Sequence, residues 1–270
     1  MGCHRGRQAA GARPNRRDGA LRHWRALLQL GGVLLMSAPQ RVLVVGAGGL
    51  GSPVLRQLAT SGVAHITVID DDVVDESNLQ RQTLYTGDDV GQSKIERAAR
   101  VLRKLSPGLS VHTIEGRFVP GTAMALLSDH SLVVEGADNL ATKFLVADAA
   151  RLAGVPAVQA GAVRWAGWAF CALPDSACLR CLFEDIPRDQ VETCAEAGVV
   201  GPVVGVLGGL EAALALRLLQ GERPGGELWH YDALKGVIRK TFVRRRSDCP
   251  LCAGEIQDLR MERYTAACAA

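Results

Sequence analysis

Between residues 41 and 159, short apolar runs rich in β-branched residues alternate with longer mixed stretches. The runs predict strands at Arg41–Val45, His65–Asp70, Ser110–Glu115, Leu132–Gly136 and Pro156–Gln159. The stretches between them predict helices near Ser52–Thr60, Gln92–Leu105, Gly121–Ser128 and Ala141–Ala153. Such alternation indicates a mostly parallel sheet with helices on both faces. After Gly161 the pattern changes. A strand at Trp168–Leu173 leads to the turn at residues 178–181, and a loop of about 20 residues follows, Phe183–Gly201, too long to be idle in a compact domain. Next comes an apolar helix, Pro202–Gln220, hydrophobic on most of its circumference and so expected in the core or against a partner. Strands Glu227–Asp232 and Val237–Arg244 read as a hairpin or meander. No internal repeat and no linker interrupts the chain.

Composition narrows this picture. The chain has 270 residues, 48% of them hydrophobic, enough for one large α/β domain or two small ones with a substantial core. At 4% aromatic content a base-stacking platform is not expected. The net charge of +3 comes largely from arginines in the first 25 residues and from Arg244–Arg246. The remaining body is close to neutral, which argues against nucleic acid as the partner. No segment is expected to reach the length of a membrane span. The apolar stretch after Arg22–Arg25 mimics a signal peptide but runs directly into the first strand.

Two cysteine pairs carry the sharpest chemistry. Residues 178–181 read CLRC and residues 249–252 read CPLC. Each C-x-x-C brings two thiolates onto one ion from a tight turn, and two such turns complete a tetrahedral four-sulfur shell. Cys178, Cys181, Cys249 and Cys252 are therefore expected to hold a structural Zn2+ that clips distant parts of one domain together. The competing readings are two disulfides or four unrelated thiols. Eight cysteines, four of them in metal spacing, suit a reducing cytoplasm.

The second motif is VLVVGAGGLG at residues 42–51. A β-branched run opens directly into G-x-G-x-x-G at Gly46, Gly48 and Gly51, and a second run ends in Asp70. Glycines permit the turn and let backbone N–H groups approach a phosphate at a helix N-terminus. Asp70 stands where a ribose is held in such βαβ units. The motif alone says nucleotide, and its plainest reading is an NAD-dependent oxidoreductase.

The surrounding motifs change that reading. GAGGLG, an aspartate, SNLQRQ (77–82), VGQSKIE (90–96), EGADN (135–139), CLRC, TCAEAGVVGP (193–202) and CPLC follow in one order. Over about residues 40–253 the chain resembles the ThiF/HesA/MoeB family, bacterial relatives of ubiquitin-activating enzymes. The resemblance implies an α/β fold: a Rossmann-like, mostly parallel sheet with a zinc-clipped C-terminal lobe containing antiparallel strands. It implies a tail and helical arm at 1–38, an adenylyltransferase domain at 39–253 and a tail at 254–270. The implied reaction is adenylation of the C-terminal glycine of a small ubiquitin-like sulfur carrier, using ATP and Mg2+.

Residue roles follow from the same resemblance. Gly49 and its neighbours would form the phosphate loop, and Asp70 would hold the ribose. Asn78, Arg81 and Lys94 would meet the phosphates, the arginine as a fork and the lysine as a point charge. Asp138, with Asn139 beside it, would hold Mg2+ at a strand end; the alternative is that both cap the next helix. Arg22 matches an arginine that reaches the partner subunit's site in a homodimer, although Ala20 stands where a tyrosine is usual. Cys194 matches a cysteine that forms an acyl or persulfide link. An oxidoreductase has no need of a clamp made from Arg81, Lys94 and Asp138. The carrier would end in Gly-Gly and belong to the molybdopterin branch or, alternatively, the thiamine branch. No rhodanese-like domain follows the second cysteine pair, so a separate sulfur donor, a cysteine desulfurase or rhodanese-like protein, is expected.

Overall fold

The apolar runs assemble into one sheet of eight strands ordered β3-β2-β1-β4-β5-β6-β7-β8. The strands are β1 (Arg41–Val45), β2 (His65–Asp70), β3 (Ser110–Glu115), β4 (Leu132–Glu135), β5 (Ala157–Val163), β6 (Ala166–Ala172), β7 (Glu227–Asp232) and β8 (Val237–Phe242). This computed structural model describes residues 40–186 and 198–265. The expected N-terminal arm with Arg22, and Cys194 in the long loop, lie outside the described residues.

The first five strands pair in parallel. Alternate residues of β1 serve opposite faces, which is why the strand is a continuous apolar run. Val42 and Val44 join a core formed with α1 (Gly51–Thr60), α2 (Lys94–Leu105) and α6 (Gly201–Leu219). Leu43 and Val45 join a second core with α3 (Pro120–Ser128) and α4 (Leu140–Ala153). The order reverses between β1 and β4, and ligands of open α/β sheets settle at the carboxyl ends of strands at such a point.

The strands β6, β7 and β8 continue this same sheet in antiparallel fashion. The hairpin β5–β6 runs from Ala157↔Ala172 to Val163↔Ala166, so β5 extends beyond its expected end at Gln159. The added residues are small, and Gly161 is required there: a Cβ would stand 2.8 Å from the Trp168 ring. Local pattern carries no sign of such a contact. Two further helices were not expected, α5 (Leu179–Phe183) in the first cysteine turn and α7 (Glu262–Thr265). Both are shorter than two turns, below the length at which an apolar pattern shows.

The helix α6 corrects the membrane expectation. Among the described residues it alone is long and apolar enough, by length and composition, to cross a membrane. Here it is a core helix, packed on α1, β5 and β6. Gly208 lies against Pro53 and Leu50, and Leu207 fills the space a side chain at Gly167 would need.

Candidate active site and metal centre

The glycine loop turns at Gly46, whose φ of +93° lies in the left-handed region that favours glycine. A side chain at Gly51 would collide with the Gly46 carbonyl, and one at Gly136 would stand 2.8 Å from the Gly51 nitrogen. These glycines press the start of α1 against the end of β4. No side chain caps α1, and its first turn carries no acidic residue. Its positive end therefore remains open to an anion.

Asp70 sits beneath this loop. Its carboxylate accepts from the Ala47 N–H at 2.7 Å and the Asp72 N–H at 2.8 Å. Burial raises its pKa above the ordinary carboxylate value, against the pull of those two amides and of Lys94. The hydroxyl of Tyr85 donates to the Ala47 carbonyl at 2.8 Å. Asp70 thus fixes the loop.

The segment SNLQRQ folds over the loop. Carbons of the Arg81 stem come within 3.5 and 3.6 Å of the position a Cβ on Gly49 would take. The Arg81 guanidinium donates to Asn78 Oδ1 at 2.5 Å, joining two of the expected phosphate residues. Lys94 opens α2 and is 4% exposed. Its ammonium pairs with Asp72 at 2.7 Å, while Asp72 itself is largely exposed.

Asp138 follows β4 and is exposed. The cap of α4 belongs to Asn139, whose Oδ1 accepts from Thr142 N–H at 2.8 Å. The shared-cap alternative therefore fails for Asp138, whose carboxylate makes no hydrogen bond among the described residues. Glu135 supports this turn from below. It is fully buried and accepts from the Ala137 N–H at 2.7 Å. It pairs with Lys143 at 3.0 Å, and Lys143 also donates to the Ala160 carbonyl at 2.5 Å. The sequence pattern does not signal Glu135 and Lys143, because their pairing joins β4 to α4 and neither element's own periodicity shows it.

The four cysteines converge on the other face of the sheet, where Cys178, Cys181 and Cys249 belong to the α3–α4 core. Sulfur separations are 3.8 Å for Cys178–Cys181, 3.6 Å for Cys178–Cys249 and Cys181–Cys252, and 3.5 Å for Cys178–Cys252. Disulfides have S–S near 2.05 Å, so that reading is excluded. A tetrahedron with metal–sulfur bonds of about 2.3 Å has edges of about 3.8 Å, so the set fits one tetrahedral ion.

The spacer Arg180 proves to be structural. It is 2% exposed and binds Asp148 of α4 through two bonds, at 2.8 and 2.9 Å. The Tyr264 hydroxyl donates to the same carboxylate at 2.8 Å. The first cysteine turn is thereby bolted to α4, and a residue beyond the second turn closes the bolt.

Comparison with known proteins completes the picture. The ThiF family model matches residues 34–251. The SAMP-activating enzyme E1 of Haloferax volcanii is 39% identical over 233 residues, 85% of this chain and 86% of that protein. A sulfur carrier protein adenylyltransferase of Thermus thermophilus is 42% identical over 236 residues, 84% of this chain and 87% of that protein. Relatives named adenylyltransferase and sulfurtransferase are longer; this chain spans 46% of one from Yarrowia lipolytica and 55% of one from Dictyostelium discoideum. Among solved structures, E. coli MccB with SeMet MccA superposes with a TM-score of 0.70 at 25% identity, over 88% of this chain and 74% of that one.

Proposed function

The chain belongs to the ThiF family, and from that premise we propose that it is an adenylyltransferase acting on the C-terminal glycine of a small ubiquitin-like sulfur carrier with ATP. The observation that carries this reading is Asp138: an exposed carboxylate without a hydrogen-bond partner, at a strand end whose backbone packs on the glycine loop. A site for hydride transfer has no use for that carboxylate or for the nearby cations.

The carrier's own carboxylate attacks the α-phosphate, and pyrophosphate leaves. Negative charge accumulates on the transferring group, so catalysis rests on donors and cations placed beforehand. Backbone N–H groups around Gly46, Gly48, Gly49 and Gly51 cradle the phosphates. Asn78 and Arg81 reach them as a joined pair. Lys94 serves there by exchanging Asp72 for a phosphate oxygen. Asp70 holds the loop and the ribose together. Asp138, with Asn139 beside it, holds Mg2+, which when bound supplies positive charge to the phosphate oxygens. The four cysteines hold Zn2+; a closed four-sulfur shell leaves no place for substrate, so this ion supports the fold.

The finer assignments extend the family resemblance. Arg22 completes the site of a partner subunit in a homodimer. The Cys194 thiol attacks the acyl-adenylate and displaces AMP to give an acyl thioester, or takes the terminal sulfur of a separate cytoplasmic donor's persulfide, which leaves as a thiol. The names of the relatives favour a SAMP-like or molybdopterin-type carrier over the thiamine carrier. The test is ATP–pyrophosphate exchange with a panel of carriers ending in Gly-Gly. Exchange that depends on one carrier and disappears when its terminal glycine is removed is the expected result. ATP binding without exchange for any carrier overturns the proposal.

A further inference from the structure

One buried polar group near the glycine loop has no use in the assignments above. Gln82 is 3% exposed, yet its Oε1 has no hydrogen-bond partner. No side-chain hydrogen bond links it to any described residue. A buried amide left unmet is costly and demands a reason. Its surroundings supply one. Its Nε2 lies 3.7 Å from the position a Cβ on Gly48 would take, in the middle of the phosphate loop. Its neighbours in the chain grip the same loop: Arg81 lies over Gly49, and Tyr85 holds the Ala47 carbonyl. Arg81 and Tyr85 have bonded partners, whereas Gln82 brings an unused carboxamide to the central glycine.

We propose that Gln82 contacts the nucleotide, its side-chain amide being completed by the bound triphosphate. A triphosphate offers only acceptors, so the amide nitrogen is the group that meets it. The carbonyl oxygen then faces the N–H groups of the loop. Rotating the amide about its last bond exchanges the two ends without displacing other atoms, so either starting orientation serves. This inference rests on the nucleotide reading of the glycine loop.

The probe is the non-hydrolysable ATP analogue AMPCPP with Mg2+, titrated into wild type and Gln82→Leu, with chemical denaturation of each protein without nucleotide. If Gln82 waits for a ligand, the leucine variant is at least as stable as wild type without nucleotide, because an unmet polar group has gone. Its AMPCPP affinity is nevertheless weaker by about tenfold or more, the scale of a hydrogen bond to a charged group. Unchanged affinity overturns the proposal. So does a joint loss of stability and affinity, which identifies a purely structural residue. Should Gln82→Leu fail to fold, Gln82→Glu keeps the shape and sets a carboxyl against phosphate. Weaker AMPCPP binding at wild-type stability then supports the proposal, and unchanged binding or lost stability overturns it. A wild type that does not bind AMPCPP overturns the nucleotide reading itself, and this inference with it, before any variant is made.

Discussion

The two faces of the sheet solve opposite problems. At the cysteine centre every chemistry-bearing atom already stands where it acts. Four sulfurs lie at tetrahedral spacing, and Arg180 spends its fork on Asp148. At the glycine loop the side chains are occupied with substitutes or with nothing. Lys94 holds Asp72, Arg81 holds Asn78, and Asp138 and the Gln82 amide stand unmet. A structural ion stabilises most when its ligands are held in advance. A catalytic site must release its temporary partners to bind substrate, and its unmet groups are an expense borne by the rest of the fold.

Disturbing the cysteine face should therefore cost stability first, and the largest effect belongs to the ligands. Structural zinc contributes on the order of 10 kcal/mol of binding energy coupled to folding in small domains. Cys252→Ser is expected to lower bound metal from about one ion per chain and to reduce thermal stability in parallel, read by metal analysis and calorimetry. Full stability in a metal-free protein breaks the comparison at its root.

Next comes the bolt behind the knuckle. Arg180→Met leaves Asp148 buried with only the Tyr264 hydroxyl against it. Removing one partner of a buried pair costs about 3–5 kcal/mol. Urea unfolding should show a loss of that size, and Asp148→Asn combined with Arg180→Met should recover part of it. A loss below about 1 kcal/mol, the surface ion-pair scale, means that the bolt is a bystander.

The glycine-loop face should respond in rate instead. Asp138→Asn removes a charge from an exposed position that caps nothing. Stability is expected to stay within about 0.5 kcal/mol, while pyrophosphate exchange falls by about a hundredfold, the scale of losing one transition-state stabiliser. A variant that loses stability and keeps its rate reverses the assignment of the two faces.

What could be read in advance divides along the same line. The four cysteines act through side chains alone, so their spacing announced both partners and geometry. The glycine loop was legible because Gly46 and Gly51 answer steric demands that no other residue meets. Glu135, Lys143, Arg180 and Asp148 were not legible. Each is a charge whose partner lies on another element, and periodicity within one element says nothing about that. Asp138 and Asn139 show the limit at finer scale: adjacent capping residues looked equivalent until backbone geometry gave the cap to Asn139 alone. The helix α6 was expected to be buried from its apolar circumference, but that pattern did not reveal that its one acidic residue would be buried with it.

That residue, Glu211, supplies the smallest effect and the most specific one. It is fully buried, and neither carboxylate oxygen has a hydrogen-bond partner. Burial pushes its pKa well above the ordinary value of 4.5; the Glu135 charge adds to this, and Lys143 opposes it. The folded protein therefore keeps the proton at pH values where the unfolded chain has released it. Below about pH 4.5 both states are protonated, and ionisation of Glu211 makes no difference to stability. As pH rises, the unfolded state gains from losing the proton, so folding weakens by at most about 1.4 kcal/mol per pH unit. The decline ends where the folded carboxyl itself ionises. Glu211→Gln cannot ionise, so it should remove this component while keeping the side chain's shape. The measurement is urea stability of both proteins from pH 5 to pH 8. The variant should gain on wild type steadily as pH rises. Glu135 titrates in both proteins, so most of its own contribution cancels in the difference between the two profiles. Parallel profiles would show that Glu211 ionises in the folded state much as it does in the unfolded chain, through a partner the static structure lacks, and the contrast between a satisfied and an unsatisfied face would then rest on Gln82 and Asp138.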